Sequence, residues 1–367
     1  MSASNVIPLP RVEARPLGRT EPIAVLDVGT SKMCCLIARR RDGRLDLMGG
    51  GFQLAEGLRA GEVVDAEAAE ASILAVVHEA EQQAGRTVQE IVVGISGARP
   101  ESLLTTVEVQ LGGRAVGPAD VAHALAHARA QARVEGVEIL HALPVTITLD
   151  GSQPLRDARG MVGERLRIAV HLVRVASAPL HNLLAAVERC HLDVAAVIAA
   201  PYAAGLASLS GDEAMFGAVV LDLGAGTTGV ARFADGRLQE LATLPLGAHH
   251  VTQDLAFGLS TGRAQAERLK TLYGSVLVRA GDSRQHLEVP GIGDPAQPPV
   301  QIVARAPHRD HPAAGGGDLP AGARADRSGP AADHRTPPGA HRRRQPARGH
   351  GRAGRGDVRH AGAHGPR

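Results

Sequence analysis

Short apolar runs separated by glycine-containing turns dominate the first hundred residues. Residues 23–28 and 33–38 are two such runs around Gly29, Thr30, Ser31 and Lys32, a spacing that predicts a hairpin of buried strands. The Asp42–Gly43 turn leads into a third strand over 45–52. Helical spacing takes over at 66–84, with Ala69, Ile73, Val76, Val77 and Ala80 on one stripe. A buried strand over 91–95 follows and ends at Ser96 and Gly97.

Residues 103–111 alternate as a half-buried strand, and Pro118 opens a helix running to about residue 132. Further strands are expected over 145–149 and 166–175, then a helix over 179–190 and a strand over 194–198. Pro201 starts a helix of small residues. An apolar strand over 218–223, a glycine-rich turn and a strand over 230–233 come next, then the Asp235–Gly236 turn and a strand over 238–244. Helices are expected over 247–259 and 263–273. The succession strand, Asp-x-Gly turn, strand, Asp-Gly turn, strand thus occurs twice.

Composition narrows the class. A chain of 367 residues has room for more than one domain, and with 2% aromatics and no Trp its core must be Val, Leu, Ile and Ala. Cys34, Cys35 and Cys190 are too few for a disulfide framework or a zinc site, which suits a reducing cytoplasm. Residues 1–20 are polar, without the apolar segment of a secretory signal, and are expected to be a disordered extension. The apolar stretch 194–209 is short and broken by Pro201, so protein interior is expected rather than a membrane span.

The repeated turns carry the candidate chemistry. The first holds Asp27, Gly29, Thr30, Ser31 and Lys32; the second holds Asp222, Gly224, Ala225, Gly226, Thr227 and Thr228. Glycine permits close backbone approach, and successive N–H groups with hydroxyls beside them make an anion-binding nest. A carboxylate beside phosphate oxygens is repulsive unless a divalent cation intervenes, commonly through water. Asp27 and Asp222 are therefore read as water-mediated Mg²⁺ ligands and Lys32 as a phosphate-neutralising charge. Downstream, Gly247 precedes a helix, and Glu267 and Lys270 share a helix face at i, i+3, where they would grip a ribose or simply pair with each other.

Residues 26–38, 94–102, 186–194 and 219–231, and above all 246–275, resemble the bacterial cell-division family FtsA. The resemblance covers roughly residues 22–303. It implies an α/β, actin-like ATPase fold with two RNase H-like domains (1A and 2A), an FtsA-type 1C insertion of SHS2 type and a 2B subdomain. On that pattern, 21–97 is the first part of 1A, 98–175 is 1C, 176–214 is the return to 1A, and 215–304 is 2A with 2B. The resemblance also implies ATP with Mg²⁺, FtsZ and other division proteins as partners, self-association into filaments, and a place on the cytoplasmic face of the inner membrane at the septum. No metabolic activity is implied. The rival reading is a sugar-kinase-type phosphotransferase, for which Asp150 and Asp157 are the nearest candidate bases.

The last 63 residues depart from this pattern. Residues 305–367 hold 13 Arg, no Lys and 5 Asp, a balance of +8 that leaves −6 on residues 1–304. Their only large aliphatics are Leu319 and Val358, too few to offset chain entropy, so a disordered tail is expected. A basic tail commonly suggests nucleic acid, but without Lys or aromatics that partner is not expected here. A frameshift explains the tail better. Codons compatible with residues 341–347, read one nucleotide later, spell Thr-Gly-Gly-Ala-Ser-Gln, the adenine-loop string that the resemblance implies. The tail also lacks the apolar face of the amphipathic membrane helix found in that family. Sequencing the gene across the Arg305 codon is expected to show a one-nucleotide slip; an intact frame encoding the same tail in close relatives would contradict it.

Overall fold

The computed structural model describes residues 22–275, 286–292 and 300–303. The chain divides into two units, Met1–His308 and Arg309–Arg367, and every described residue belongs to the first. The expected N-terminal extension, basic tail and adenine loop lie outside the described residues.

The first half opens with β1 (Pro22–Val28), β2 (Lys32–Arg41) and β3 (Arg44–Leu54), followed by the small β4 (Leu58–Arg59) and β5 (Glu62–Val63), α1 (Ala66–Ala84) and β6 (Glu90–Ile95). Asp42 and Gly43, both at positive φ, make the tight β2–β3 turn. Asp65 caps α1 by accepting from the Ala68 N–H, and Gly85 ends it in the left-handed conformation. The expected stripe, Ala69 to Ala80, is the buried face of that helix. It lies hard against β3 because Gly49 and Gly51 have no Cβ: one there would stand 2.3 Å from the Ala80 carbonyl oxygen or 2.1 Å from that of Val76.

An inserted domain follows: β7 (Glu101–Gln110), α2 (Pro118–Gln131), β8 (Val137–Leu149) and β9 (Arg165–Ala176). Its sheet has the order β7-β9-β8, and Val107, Ala124, Ala128, Leu149, Leu166 and Ile168 belong to a core separate from that of the halves. The strand expected at 145–149 begins eight residues earlier, at Val137. Pro144 concealed it. On an edge strand, at a shift in the β8–β9 register, the missing N–H is tolerated.

The chain then returns through α3 (Ser177–Arg189) and β10 (Asp193–Ala199), completing a five-stranded sheet of order β10-β6-β1-β2-β3. β1 pairs antiparallel with β2 and parallel with β6, and β6 pairs parallel with β10. The second half comprises α4 (Ala200–Ser208), α5 (Gly211–Phe216), β11 (Ala218–Leu223), β12 (Thr228–Ala234), β13 (Arg237–Leu244), α6 (Ala248–Gly258), α7 (Arg263–Tyr273) and the hairpin of β14 (His286–Val289) with β15 (Val300–Val303). Residues 194–209 split between β10 and α4, and no helix among the described residues is long and apolar enough to cross a membrane. The Asp235–Gly236 turn repeats the positive-φ pair of Asp42–Gly43.

The inserted domain is tied to the second half by side chains. The Ser102 hydroxyl donates to the Leu241 carbonyl (2.8 Å) and accepts from the Leu241 N–H (2.6 Å), while His171 Nε2 lies 2.8 Å from the same oxygen. Arg237 donates to the carbonyls of Val145 (2.5 Å) and Arg156 (2.7 Å). On the other side, buried His141 accepts from the Ala199 N–H at 3.1 Å and meets the Tyr202 ring edge-on.

Burial, with Arg129 and His171 adding to it, depresses the His141 pKa from 6.5 to about 4. The unfolded chain takes that proton first, so this stability is fully present above about pH 6.5 and is lost as the pH falls towards 4. His141→Phe should leave the Ala199 N–H without its acceptor, cost about 1–3 kcal/mol at neutral pH, and flatten the stability–pH curve between pH 6.5 and 4; an unchanged acid limb in chemical denaturation would contradict this.

Candidate functional site

The two Asp-x-Gly turns fold alike. Asp27 is opposite Cys34 in the β1–β2 register and Asp222 is opposite Gly229 in β11–β12, so each loop closes over the same length of chain. A Cβ on Gly29 would stand 2.7 Å from the Lys32 carbonyl oxygen; on Gly224 it would stand 2.8 Å from that of Thr227. Both positions therefore require glycine for the same reason: the chain folds back onto its own carbonyl three residues on.

The loops also meet. Gly226 packs on Thr30, with its absent Cβ position 2.6 Å from Thr30 Oγ1 and 2.9 Å from Ala60 Cα. The same Thr30 hydroxyl accepts from the Gly61 N–H at 2.9 Å, in the turn between β4 and β5. Gly61 in turn lies against Gly97, at the entrance to the inserted domain. Three glycines and one threonine thus bring the first loop, the second loop and the domain junction together. A cavity of ≈ 440 Å³ borders this junction, lined by Ala60, Glu62, Ser96, Gly97, Arg99 and Thr227 among others; neither loop carboxylate is among its walls.

The electrostatics place the two carboxylates near one another. The Asp27 pKa is raised, first by desolvation and then by Asp222, against an opposing effect of Lys32. Asp27 opens to solvent on one side while protein crowds it on the others, which is how exposure and desolvation coexist. Gly94, beside Asp27 in the parallel β1–β6 register, leaves room there; a Cβ would stand 3.3 Å from Asp27 Oδ1. Burial also raises Asp222. Two carboxylates, each made costly to ionise and one raised by the other, form a donor set that a divalent cation would relieve. Among the described residues no cluster of three or more His, Cys, Asp or Glu is arranged to ligate a metal directly.

The remaining candidates are largely engaged with protein. Thr228 Oγ1 donates to the Leu246 carbonyl at 2.7 Å, so its hydroxyl secures the approach to α6. Gly247 lies on the second loop, where a Cβ would meet the Ala225 carbonyl oxygen at 2.5 Å. The first α6 amides bond back to that loop, Ala248 to the Gly224 carbonyl (2.9 Å) and His249 to that of Ala225 (2.8 Å). Glu267 and Lys270 pair at 2.7 Å, and both bond Thr252 Oγ1, at 2.5 Å and 2.9 Å, bracketing α7 to α6. Ser31 and Lys32 end the first loop, with Lys32 exposed. Asp150 accepts from the Glu164 and Arg165 N–H groups and Asp157 pairs with Arg159, so each rival base already has partners inside the inserted domain.

Sequence reasoning missed Gly61, Gly94 and Gly97, which fix the spacing of the site, and Ser102 with Arg237, which hold the inserted domain. Gly94 and Gly97 are within a string already singled out; the role of Gly94 follows only from the parallel register and that of Gly97 only from its contact with Gly61. Gly226→Ala should destabilise the protein by about 1–3 kcal/mol in chemical denaturation, whereas Gly211→Ala, at a position with open space, should change it by less than about 0.5 kcal/mol. Equal effects would contradict the loop contact.

Comparison with known proteins agrees with this architecture. The family model "Cell division protein FtsA" matches residues 219–329, and "SHS2 domain inserted in FTSA" matches residues 97–174. The cell division protein FtsA of Agrobacterium fabrum is 38% identical over 309 residues, covering 81% of this chain and 70% of that protein. The FtsA of Pseudomonas aeruginosa is 34% identical over 285 residues, covering 77% and 68%. Among solved structures, a chain of the PilM–PilN type IV pilus biogenesis complex superposes with a TM-score of 0.51 at 19% identity, covering 70% of each chain. That likeness concerns the fold, which is actin-like with an SHS2 insertion.

Proposed function

The chain belongs to the FtsA family of cell-division proteins, and from that premise we propose that it is an ATP-binding adaptor that links FtsZ filaments to the inner membrane and helps assemble the division machinery at the septum. The observation that supports nucleotide binding is the pair of like-folded Asp-x-Gly loops in contact through Gly226 and Thr30. ATP would lie across both loops. The amides around Gly29–Ser31 and Gly224–Thr227 supply donors, and Lys32 supplies positive charge. Asp27 and Asp222 would hold Mg²⁺ through water, which would screen their charge from the phosphates.

On this reading Glu267 and Lys270 address the ribose from the face of α7, and Gly247 keeps the α6 terminus close to the second loop. Thr228 contributes through its backbone, because its hydroxyl is committed to Leu246. The inserted domain is the surface for other division proteins, and self-association of the chain accompanies its work. Activity on a small-molecule phosphate acceptor finds no support, since Asp150 and Asp157 are held by neighbouring donors.

Titration calorimetry with Mg-ATP tests the reading. Binding is expected for the whole chain, and Asp27→Asn should weaken it by about 10- to 100-fold while raising the melting temperature of the nucleotide-free protein, because a desolvated charge facing Asp222 is removed. Absence of binding, or equal binding by the variant, would contradict the role of the cleft. Cosedimentation with FtsZ filaments tests the adaptor role separately.

A further inference from the structure

The basic side chains are nearly all of one kind. Of the 40 lysines and arginines, only Lys32 and Lys270 are lysines, which leaves 38 arginines. Both lysines belong to the candidate site, one directly after the first loop and one on α7. An ammonium differs from a guanidinium in two respects that matter there. It is a compact charge with three donors that turn freely, and as an amine it is a nucleophile towards acyl groups.

Lys270 uses the first property. Its Nζ donates to the Ala248 carbonyl (3.2 Å), Thr252 Oγ1 (2.9 Å) and Glu267 Oε2 (2.7 Å), one acceptor for each proton. Its side chain is 19% exposed. An amine engaged three times and largely covered is a poor nucleophile.

Lys32 is the opposite case. It is exposed at the start of β2, and its ammonium makes no hydrogen bond or ion pair among the described residues. It lowers the Asp27 pKa without hydrogen-bonding to it. It also follows directly on Gly29, Thr30 and Ser31, the loop whose amides are suited to cradle phosphate. A phosphate held on that loop lies beside the one lysine amine that the fold leaves uncommitted.

That neighbourhood selects a reactant. In an acyl phosphate the phosphorus and the reactive carbonyl carbon are joined through a single oxygen. A loop that binds the phosphate therefore presents the carbonyl to Lys32 and holds the leaving group in place at once. We propose that Lys32 is a site of acylation by acyl phosphates bound on the first loop, and that the modification removes the charge this loop offers to nucleotide phosphates. The Nζ lone pair attacks the carbonyl carbon and an N–C bond forms. The C–O bond to the phosphate breaks, inorganic phosphate leaves with that electron pair, and the proton displaced from nitrogen passes to water. The product is a neutral amide. The proposal rests on the reading of the first loop as a phosphate cradle, which it shares with the proposed function.

Peptide mapping of the full chain, treated with acetyl phosphate or with the N-hydroxysuccinimide ester of acetic acid, tests it. The ester carries no phosphate and reports accessibility alone, and the N-terminal amine is the internal reference. The ratio of Lys32 to N-terminal acetylation is expected to be at least about tenfold higher with acetyl phosphate than with the ester. The rate at Lys32 should saturate with acetyl phosphate and fall when inorganic phosphate is added, and Lys270 should stay unmodified. The acetylated chain should bind Mg-ATP about tenfold or more weakly. The same ratio with both reagents, a rate at Lys32 indifferent to inorganic phosphate, or unchanged Mg-ATP binding after acetylation would overturn the proposal. Calorimetry of the unmodified chain with Mg-ATP separates the two readings. Nucleotide binding without saturable acetylation contradicts the acylation alone, whereas saturable, phosphate-suppressed acetylation without nucleotide binding contradicts the nucleotide reading alone.

Discussion

Contact between Gly226 and Thr30 is the constraint on which the rest of the site depends. With 2.6 Å between the absent Cβ position and Thr30 Oγ1, no other residue fits without parting the two loops. That contact keeps the two hairpins opposed, and the opposition sets Asp222 close enough to raise Asp27. The resulting strain is electrostatic and local: two carboxylates ionise reluctantly where a cation and phosphates would make ionisation favourable. A binding site that costs stability when empty is a common consequence of preorganising charge.

The inserted domain shares in this arrangement from both sides. It leaves the first half beside Gly97, which is in contact with Gly61, and Gly61 donates to Thr30. It is then fastened to the second half by the two-way Ser102–Leu241 bond and by Arg237. One small domain therefore touches both halves, beside the loops at Gly97 and farther along β13 at Leu241 and Arg237.

Most elements were legible in the sequence because their causes are local. The stripe of α1, the two Asp-Gly turns and the repeated strand pattern are periodicities and turn preferences that need no tertiary knowledge. What escaped had non-local causes or a misleading local cue. Pro144 concealed eight residues of β8 that only its edge position explains. The capping box of α5, Ser210 with Glu213, was present in the sequence but belonged to a helix too short to show periodicity. The candidate site residues were chosen by chemistry, whereas the glycines that space them were not, since their need arises from chain segments far apart in sequence. Thr228 was selected for a hydroxyl that the fold uses elsewhere. Strand β11 is the converse case: Val219, Leu221 and Leu223 read as part of an ordinary buried strand, and nothing within it says that they are exposed among the described residues.

The central claim is that the two loops act as one site. Hydrogen exchange of residues 28–32 and 223–228, measured with and without Mg-ATP on the whole chain, tests it most directly. The account predicts that both loops gain protection together and at the same nucleotide concentration. Protection confined to one loop, or the same exchange in both with and without nucleotide, would contradict it.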